Sequence, residues 1–458
     1  MDHRRPTPTP QSPPAGRWTP AGPSRRALLA SLPVALVLAG CGGGPVAEPT
    51  QLSEADPTAL VEITWWTGQA DQPQQIIEDL VDEFTEAHPN VTVTTSAGAS
   101  TTDQLLGQLS ASFAGGTYPD ISYAYGSWAS ELAASGRALD VTEQVESDPD
   151  VDWAGFSDAA RDTAAPDGTV IGFPAVVDNL AVVYNKELLA RAGVPEPSAD
   201  WTWEDFRAAS KAVSDLGEGM YGTNLSVSGG EDTTWRLWPL LWQNGGQVLD
   251  DDETQAAFDS PEGVEALETL RAMAVDDGSV YLDQTDEKYG PLFREGRIGM
   301  MVTGPWEIYE THEAGIDYGV QVLPGVDGSH TTVTGPDLWV LYDHQDANRA
   351  YWAYELISWM TAGPQDARFS LALGNLPLST STTQTPEYEA FLQQFPGADV
   401  FVANQDNATV PRPTVQGYNG LSAAVGEAVA GVLQGAAEPQ PALEEAATEA
   451  DRALEEAR

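Results

Sequence analysis

The chain of 458 residues has room for two substantial domains, and 41% hydrophobic residues are enough to fill their cores. A formal charge of −48 repels nucleic acid and anionic lipid headgroups, which excludes both as partners of the folded part. The single cysteine, Cys41, excludes an intramolecular disulfide, and the five histidines lack the spacing of a helical zinc motif, so neither metal nor cofactor is expected.

Residues 1–23 are rich in Pro, Thr, Ser and Arg and do not suit a core. Ser24-Arg25-Arg26 then leads into the short apolar run Ala27–Ala39, the pattern of a secretory signal. The adjacent Arg25 and Arg26 fit a twin-arginine export signal, although the general secretory route also reads such a charge. Leu38-Ala39-Gly40-Cys41 matches a bacterial lipobox, so residues 1–40 are expected to be removed and Cys41 to be lipidated. Residues 41–59 then read as a flexible tether. No later stretch is long and apolar enough for a membrane span.

From residue 60 strands and helices alternate. Val61–Trp66 is rich in β-formers, and Ile76, Ile77, Leu80, Val81 and Phe84 recur at helical spacing within Gln74–Ala87. Val91–Thr94 predicts a second strand, Leu105, Leu106, Leu109 and Phe113 mark a second helix, and Pro119–Tyr123 begins a third strand. This order predicts an α/β fold with a parallel sheet under helices, whose ligands bind beyond the carboxyl ends of the strands. The alternating Asp148, Asp150 and Asp152 lack the Gly and terminal acid of a calcium loop and read as a solvated turn.

A series of short motifs follows in order: Ile63-Thr64-Trp65-Trp66; His88-Pro89-Asn90-Val91; Pro119-Asp120-Ile121; Ile171-Gly172-Phe173-Pro174; Val183-Tyr184-Asn185-Lys186; Trp201-Thr202-Trp203-Glu204; Trp242-Gln243-Asn244-Gly245-Gly246; Gly296-Arg297-Ile298-Gly299-Met300; Gly304-Pro305-Trp306; and Gly374-Asn375-Leu376-Pro377. In this series, from about residue 60 to 455, the chain resembles the carbohydrate-binding solute-binding proteins of ABC importers, the family of the maltose-binding protein. The resemblance implies a two-lobed periplasmic-binding-protein-like fold with discontinuous lobes: 60–174 with 333–376, and 176–331 with 378–458. A hinge would let the lobes close on a ligand, here a sugar or oligosaccharide passed to the permease subunits of an ABC importer. The expected location is the outer face of the cytoplasmic membrane, held by lipid on Cys41, and the expected state is a monomer.

A sugar offers hydroxyls at its rim and C–H groups on its faces, so its site combines flat aromatics with Asp, Asn, Gln or Arg. Trp306, after Gly304-Pro305, matches the family's sugar-stacking tryptophan. Trp66 and Gln69 follow the first strand, and Tyr125 and Trp128 follow the third. Asp178 follows the crossing segment Phe173-Pro174. Trp235 and Trp238 are candidates at helical spacing, of which one faces the cleft, while Trp242 suits the core. Asp337 and Trp339 flank the returning crossover, where the family often has Gly-Gly and this chain has Gly335-Pro336-Asp337; Arg412 is a further donor. Tyr184 and Asn185 read as structural.

Two rivals stand beside this reading. A secreted glycosidase needs two carboxylates across a sugar, but neither a nucleophile elbow nor a metal cluster is visible, so no catalytic residue is assigned and the chain is not expected to be an enzyme. A cationic ligand such as a polyamine would use the same aromatics and acids.

Overall fold

The computed structural model describes residues 50–458 apart from Thr101 and Pro411. Arg25, Arg26, Cys41 and the rest of the leader lie outside the described residues. The strands are β1 (Val61–Trp66), β2 (Val91–Ser96), β3 (Ile121–Ala124), β4 (Gly172–Asn179), β5 (Ala181–Asn185), β6 (Thr223–Ser226), β7 (Val280–Asp283), β8 (Met300–Thr303), β9 (Tyr318–Val322) and β10 (Thr334–Leu341).

They form two main sheets. The first has the order β2-β1-β3-β10-β4, with β1 parallel to β2 and β3, and β10 antiparallel to both β3 and β4. The predicted helix over 74–87 spans Asp71–Ala87 and buries Ile77, Leu80, Val81 and Phe84 against this sheet's core. The predicted helix marked by Leu105 and Leu109 spans Leu105–Gly115. The second sheet is antiparallel, in the order β8-β5-β9, and β6 and β7 form a separate parallel pair.

The buried apolar residues fall into separate clusters. One draws on residues 52–177 and 338–378, a second on 180–333 and 418–454, and a third on 181–320 and 367–401. This is a two-lobed α/β architecture. The chain passes between the sheets along β4 and β10, which lie side by side and are buried along their full lengths. Continuous burial explains why both strands read as apolar runs without alternation.

The crossing is fastened by a buried polar network. Thr334 Oγ1 donates to the Asp178 carbonyl at 3.0 Å, and Thr332 Oγ1 donates to that of Leu180 at 2.7 Å. Asn404 Nδ2 donates to Asn179 Oδ1 at 2.7 Å and to the Leu180 carbonyl at 2.9 Å. These bonds satisfy the backbone where the ladder passes from one sheet to the other. Just beyond, Asn185 caps the helix Lys186–Ala192 by accepting from the Leu188 N–H at 3.0 Å, and the Tyr184 hydroxyl donates to Glu196 at 2.8 Å.

Two readings from sequence need correction here. The tether expected over 41–59 is docked from Thr50 onward: Thr50 Oγ1 donates to Asp343 at 2.6 Å, and Leu52 is buried in the first core. The isolated leucine of this segment thus has apolar surface to bury, which a Gly/Pro/Ser reading overlooks. Trp339, read as a ligand contact, is only 1% exposed and meets Trp65 edge to face at a centroid distance of 4.9 Å. Tyr123, its partner across the sheet, and Phe369 cover it from the cleft at ring centroid distances of 5.4 and 6.2 Å. Trp339→Ala is therefore expected to cost about 3–5 kcal/mol of folding stability in denaturant unfolding, the usual cost of deleting a buried tryptophan. A variant as stable as the parent but weak in binding would place Trp339 in the ligand site instead.

Candidate ligand-binding cleft

The crossing strands form the floor of a cleft of about 600 Å³ lined from both lobes. Val176 and Asp178 of β4 and Asp337 of β10 reach it. The β-bulge opposite Asp337 and Leu338 lies in β4, where Ala175 is the extra residue; on β10 Leu338 and Trp339 are buried, while Asp337 reaches the cleft. Gly126 makes this possible: a Cβ there would sit 2.3 Å from the Pro336 carbonyl oxygen, whereas its bare N–H donates to Asp337 Oδ1 at 3.2 Å. Asp337 also accepts from the Tyr123 hydroxyl.

One wall carries Gly68, Gln69, Ala97 and Tyr125 at the carboxyl ends of β1, β2 and β3. The Tyr125 ring leans on Trp128 at 4.7 Å. The opposite wall starts at the first turn of the helix Glu231–Gln243, with Glu231, Asp232, Trp235 and Arg236. Asp286 and Tyr289 follow β7, and Trp306, Glu307 and Tyr309 follow β8. Trp306 Nε1 donates to the Tyr289 hydroxyl at 3.1 Å, and the indole folds back over Gly304, where a Cβ would meet the ring at 2.0 Å. That fixes the Trp306 ring with part of its surface in the cleft. Phe369, Leu373 and Asn375 complete the lining.

The charges are arranged around two arginines. The Arg412 guanidinium lies 4.1 Å above the Trp235 ring, donates to Glu231 at 2.7 Å and stands 3.9 Å from Asp337. Arg236 donates to Asp286 at 2.9 Å and to the carbonyls of Asp232 and Val302 at 2.7 and 3.2 Å. Eight carboxylates but only these two cations line the cleft. Burial, then the neighbouring Asp337, holds the Asp178 carboxyl well above the usual carboxylate range, against the opposing pull of Arg412. Burial pushes Asp337 up to about 6, opposed by Arg412 and by the hydrogen bond from Tyr123. Asp178 Oδ1 and Trp235 Nε1 are both buried without a hydrogen-bond partner among the described residues.

Gln69, Tyr125, Asp178, Trp235, Trp306, Asp337 and Arg412 therefore share one cavity. Trp66, Trp128 and Trp238 do not line it. Trp66 packs on the first core and against Gly98, whose added Cβ would meet it at 2.8 Å. Trp128 is buried behind Tyr125. Trp238 is buried in the second core and donates Nε1 to the Tyr418 hydroxyl at 3.0 Å. Trp242 packs partly buried on the same core. Sequence reasoning missed Glu231, Asp232 and Arg236, although Glu231 precedes Trp235, and Asp232 precedes Arg236, by one helical turn, which aligns each pair on a shared face.

A profile of bacterial extracellular solute-binding proteins matches residues 79–394. The chain belongs to this family. An ABC substrate-binding protein from Listeria monocytogenes, solved with cycloalternan, superposes with a TM-score of 0.77 at 25% identity, over 86% of this chain and 99% of its own. A maltotriose-binding protein of Pyrococcus abyssi is 22% identical over 71% of this chain and 68% of its own length. An sn-glycerol-3-phosphate-binding periplasmic protein of Agrobacterium fabrum is 22% identical over 74% and 79%. The chain is thus a solute-binding protein of the type that serves ABC importers, and its two-lobed fold and inter-lobe cleft are those of this class. No described helix is long and apolar enough to cross a membrane.

The raised carboxyls set a pH dependence. A carboxyl whose folded pKa is raised stabilises the fold below its unfolded pKa and loses that contribution as pH rises through the folded value. Asp178→Asn mimics the protonated form. It is expected to raise the melting temperature of the unliganded protein at pH 7, with the difference from the parent closing as pH falls towards 4. A variant that melts lower than the parent at pH 7 would show that the Asp178 charge is compensated in the empty protein.

Proposed function

We propose that the protein captures a sugar or short oligosaccharide between its lobes and delivers it to an ABC importer from a lipid anchor on Cys41. The observation that carries this reading is the alternation of aromatic and polar groups around one cleft. Tyr125, Trp306 and Tyr309 offer ring faces, while Gln69, Asp178, Asp337 and Asn375 offer hydrogen-bonding groups. Aromatic faces take the C–H faces of a pyranose, and carboxylates and amides take its hydroxyls. The named ligands of the Listeria and Pyrococcus relatives, cycloalternan and maltotriose, favour the same class. The glycerol phosphate named for the Agrobacterium relative is disfavoured here, because a phosphate would face eight carboxylates. In this reading the lobes are 60–174 with 333–376 and 176–331 with 378–458, the crossing strands act as the hinge, and the ligand is released unchanged.

Thermal-shift and calorimetric screening over neutral and charged oligosaccharides tests the reading. A ligand at a hundredfold excess over its Kd is expected to add about 2.7 kcal/mol to stability. Trp306→Ala is expected to weaken saccharide binding by about 2–4 kcal/mol, roughly 30- to 1000-fold, with the unliganded melting temperature nearly unchanged. A collapsed melting temperature with native-like affinity in the folded remainder would make Trp306 a core residue. For the anchor, Cys41→Ser is expected to shift the protein from the membrane fraction to the medium, because two acyl chains hold stably where one is marginal. Retention of the processed variant on the membrane would argue against lipidation.

A further inference from the structure

We propose that the saccharide bound by this cleft carries a protonated amine, received where Asp178 and Asp337 flank Gly335, so that the ligand class is a basic amino-sugar rather than a neutral glycan. The inference rests on the saccharide reading above and narrows it.

Three observations converge on that point. The first is the imbalance of charge: eight carboxylates and two guanidiniums line the cleft, and no lysine does. Both guanidiniums are already committed, Arg412 to Glu231 at 2.7 Å and Arg236 to Asp286 at 2.9 Å. The second is an unfilled acceptor. Asp178 lines the cleft at 8% exposure, and its Oδ1 has no hydrogen-bond partner among the described residues. The third is the packing of the floor. The missing side chain of Gly335 lets the Trp235 ring edge, Asp178 Oδ1 and Arg412 Nη2 close together, at 2.5, 2.9 and 3.1 Å from where a Cβ would stand, so the cation beside Asp178 and Asp337 is Arg412, which Glu231 already holds.

A neutral hydroxyl can donate to Asp178, but it leaves two buried carboxylates with Arg412 alone, which Glu231 also engages. Closing a cleft over such a pair is costly, and an ammonium removes the cost by pairing with both. An ammonium also gains from nearby aromatic faces, which Tyr123 and Tyr125 supply beside Asp337. At a formal charge of −48, the whole molecule attracts a cationic ligand and repels an anionic one.

The test uses the folded lipid-free protein and matched probes: glucosamine oligomers of two to four sugars, the same oligomers N-acetylated, malto-oligosaccharides, and spermidine, each measured by calorimetry. The amine-bearing oligomers are expected to bind at least about tenfold more tightly than their N-acetylated counterparts, a preference that shrinks with added salt. In Asp178→Asn, whose melting temperature checks its folding, the preference is expected to fall to about threefold or less. Repetition in buffers of different ionisation enthalpy adds an independent readout, because an ammonium that favours the charged forms of Asp178 and Asp337 releases protons and makes the apparent enthalpy depend on the buffer. Equal or tighter binding of neutral oligomers would overturn the amine while leaving the saccharide reading intact. Binding of spermidine with no binding of any saccharide would overturn both.

Discussion

Two antiparallel strands carry the chain from one lobe to the other, and almost everything at the cleft follows from how they pair. In the β4–β10 register Gly335 lies opposite Asp178, and Asp337 lies opposite Val176, before the bulge shifts the pairing. Both strands are buried on both faces, so their side chains are either core or cleft floor, with no solvent-facing alternative. Two carboxylates placed on such strands sit close together in a low-dielectric setting, where the charged forms are disfavoured and their mutual repulsion is strong. Every neighbouring donor then matters: the Tyr123 hydroxyl, the Gly126 N–H and the guanidinium of Arg412 all converge on Asp337.

The same contacts tie the lobes to one another. Ser422 and Tyr418 donate to Glu231, Glu231 holds Arg412, Arg412 faces Asp337, and Asp337 receives Tyr123 from the first sheet. This chain of polar contacts runs from the second core, through the crossing, to the first. Its longest link, 3.9 Å between Arg412 and Asp337, is also the one that spans from a residue beside the second lobe to the floor. A rotation of the lobes about the crossing strands would change that link first, while the Arg412–Glu231 and Tyr123–Asp337 contacts travel with their own elements. On the hinge proposed above, this one guanidinium would link the occupancy of the cleft floor to the geometry of the lobes.

The sequence made the first half of the fold legible because its signals are local. The strands at Val61–Trp66 and Val91–Ser96 and the helix Asp71–Ala87 lie where β-branched residues and helical periodicity put them. The tryptophans were harder, since one side chain serves cores and sugar faces equally well. Trp235 and Trp238 are one turn apart, yet one lines the cleft and the other is sealed against Tyr418, a separation of only about 60° around the helix axis that depends on where the second core ends and the cleft begins. Trp339 failed for a different reason: Tyr123 and Phe369 cover it from the cleft, and both come from elements distant in sequence. The acids of the cleft were illegible for want of contrast. Among 69 acidic residues, Glu231, Asp232 and Asp286 look like any others until the fold gathers them.

The gathered acids also explain an apparent waste of stability. Buried carboxyls at Asp178, Asp286 and Asp337 are all pushed upward by desolvation, and the unpartnered Asp178 Oδ1, Trp235 Nε1 and Asp286 Oδ1 add further unmet hydrogen-bonding capacity. Each such group opposes folding, since a buried donor or acceptor without a partner forfeits the hydrogen bond it made to water. A core designed only to fold would replace them with apolar residues of similar volume. Among the described buried acids, the two with an unpartnered oxygen, Asp178 and Asp286, stand at the cleft, whereas elsewhere Asp120 meets Arg349 in a bidentate pair and Asp366 is hydrogen-bonded by Ser370, Thr382 and the Leu378 N–H. The contrast separates two uses of a buried acid. Where the protein supplies every partner, the acid fastens elements together; where it withholds one, the solute proposed above has an acceptor to fill, and its binding would restore stability that the empty cleft lacks.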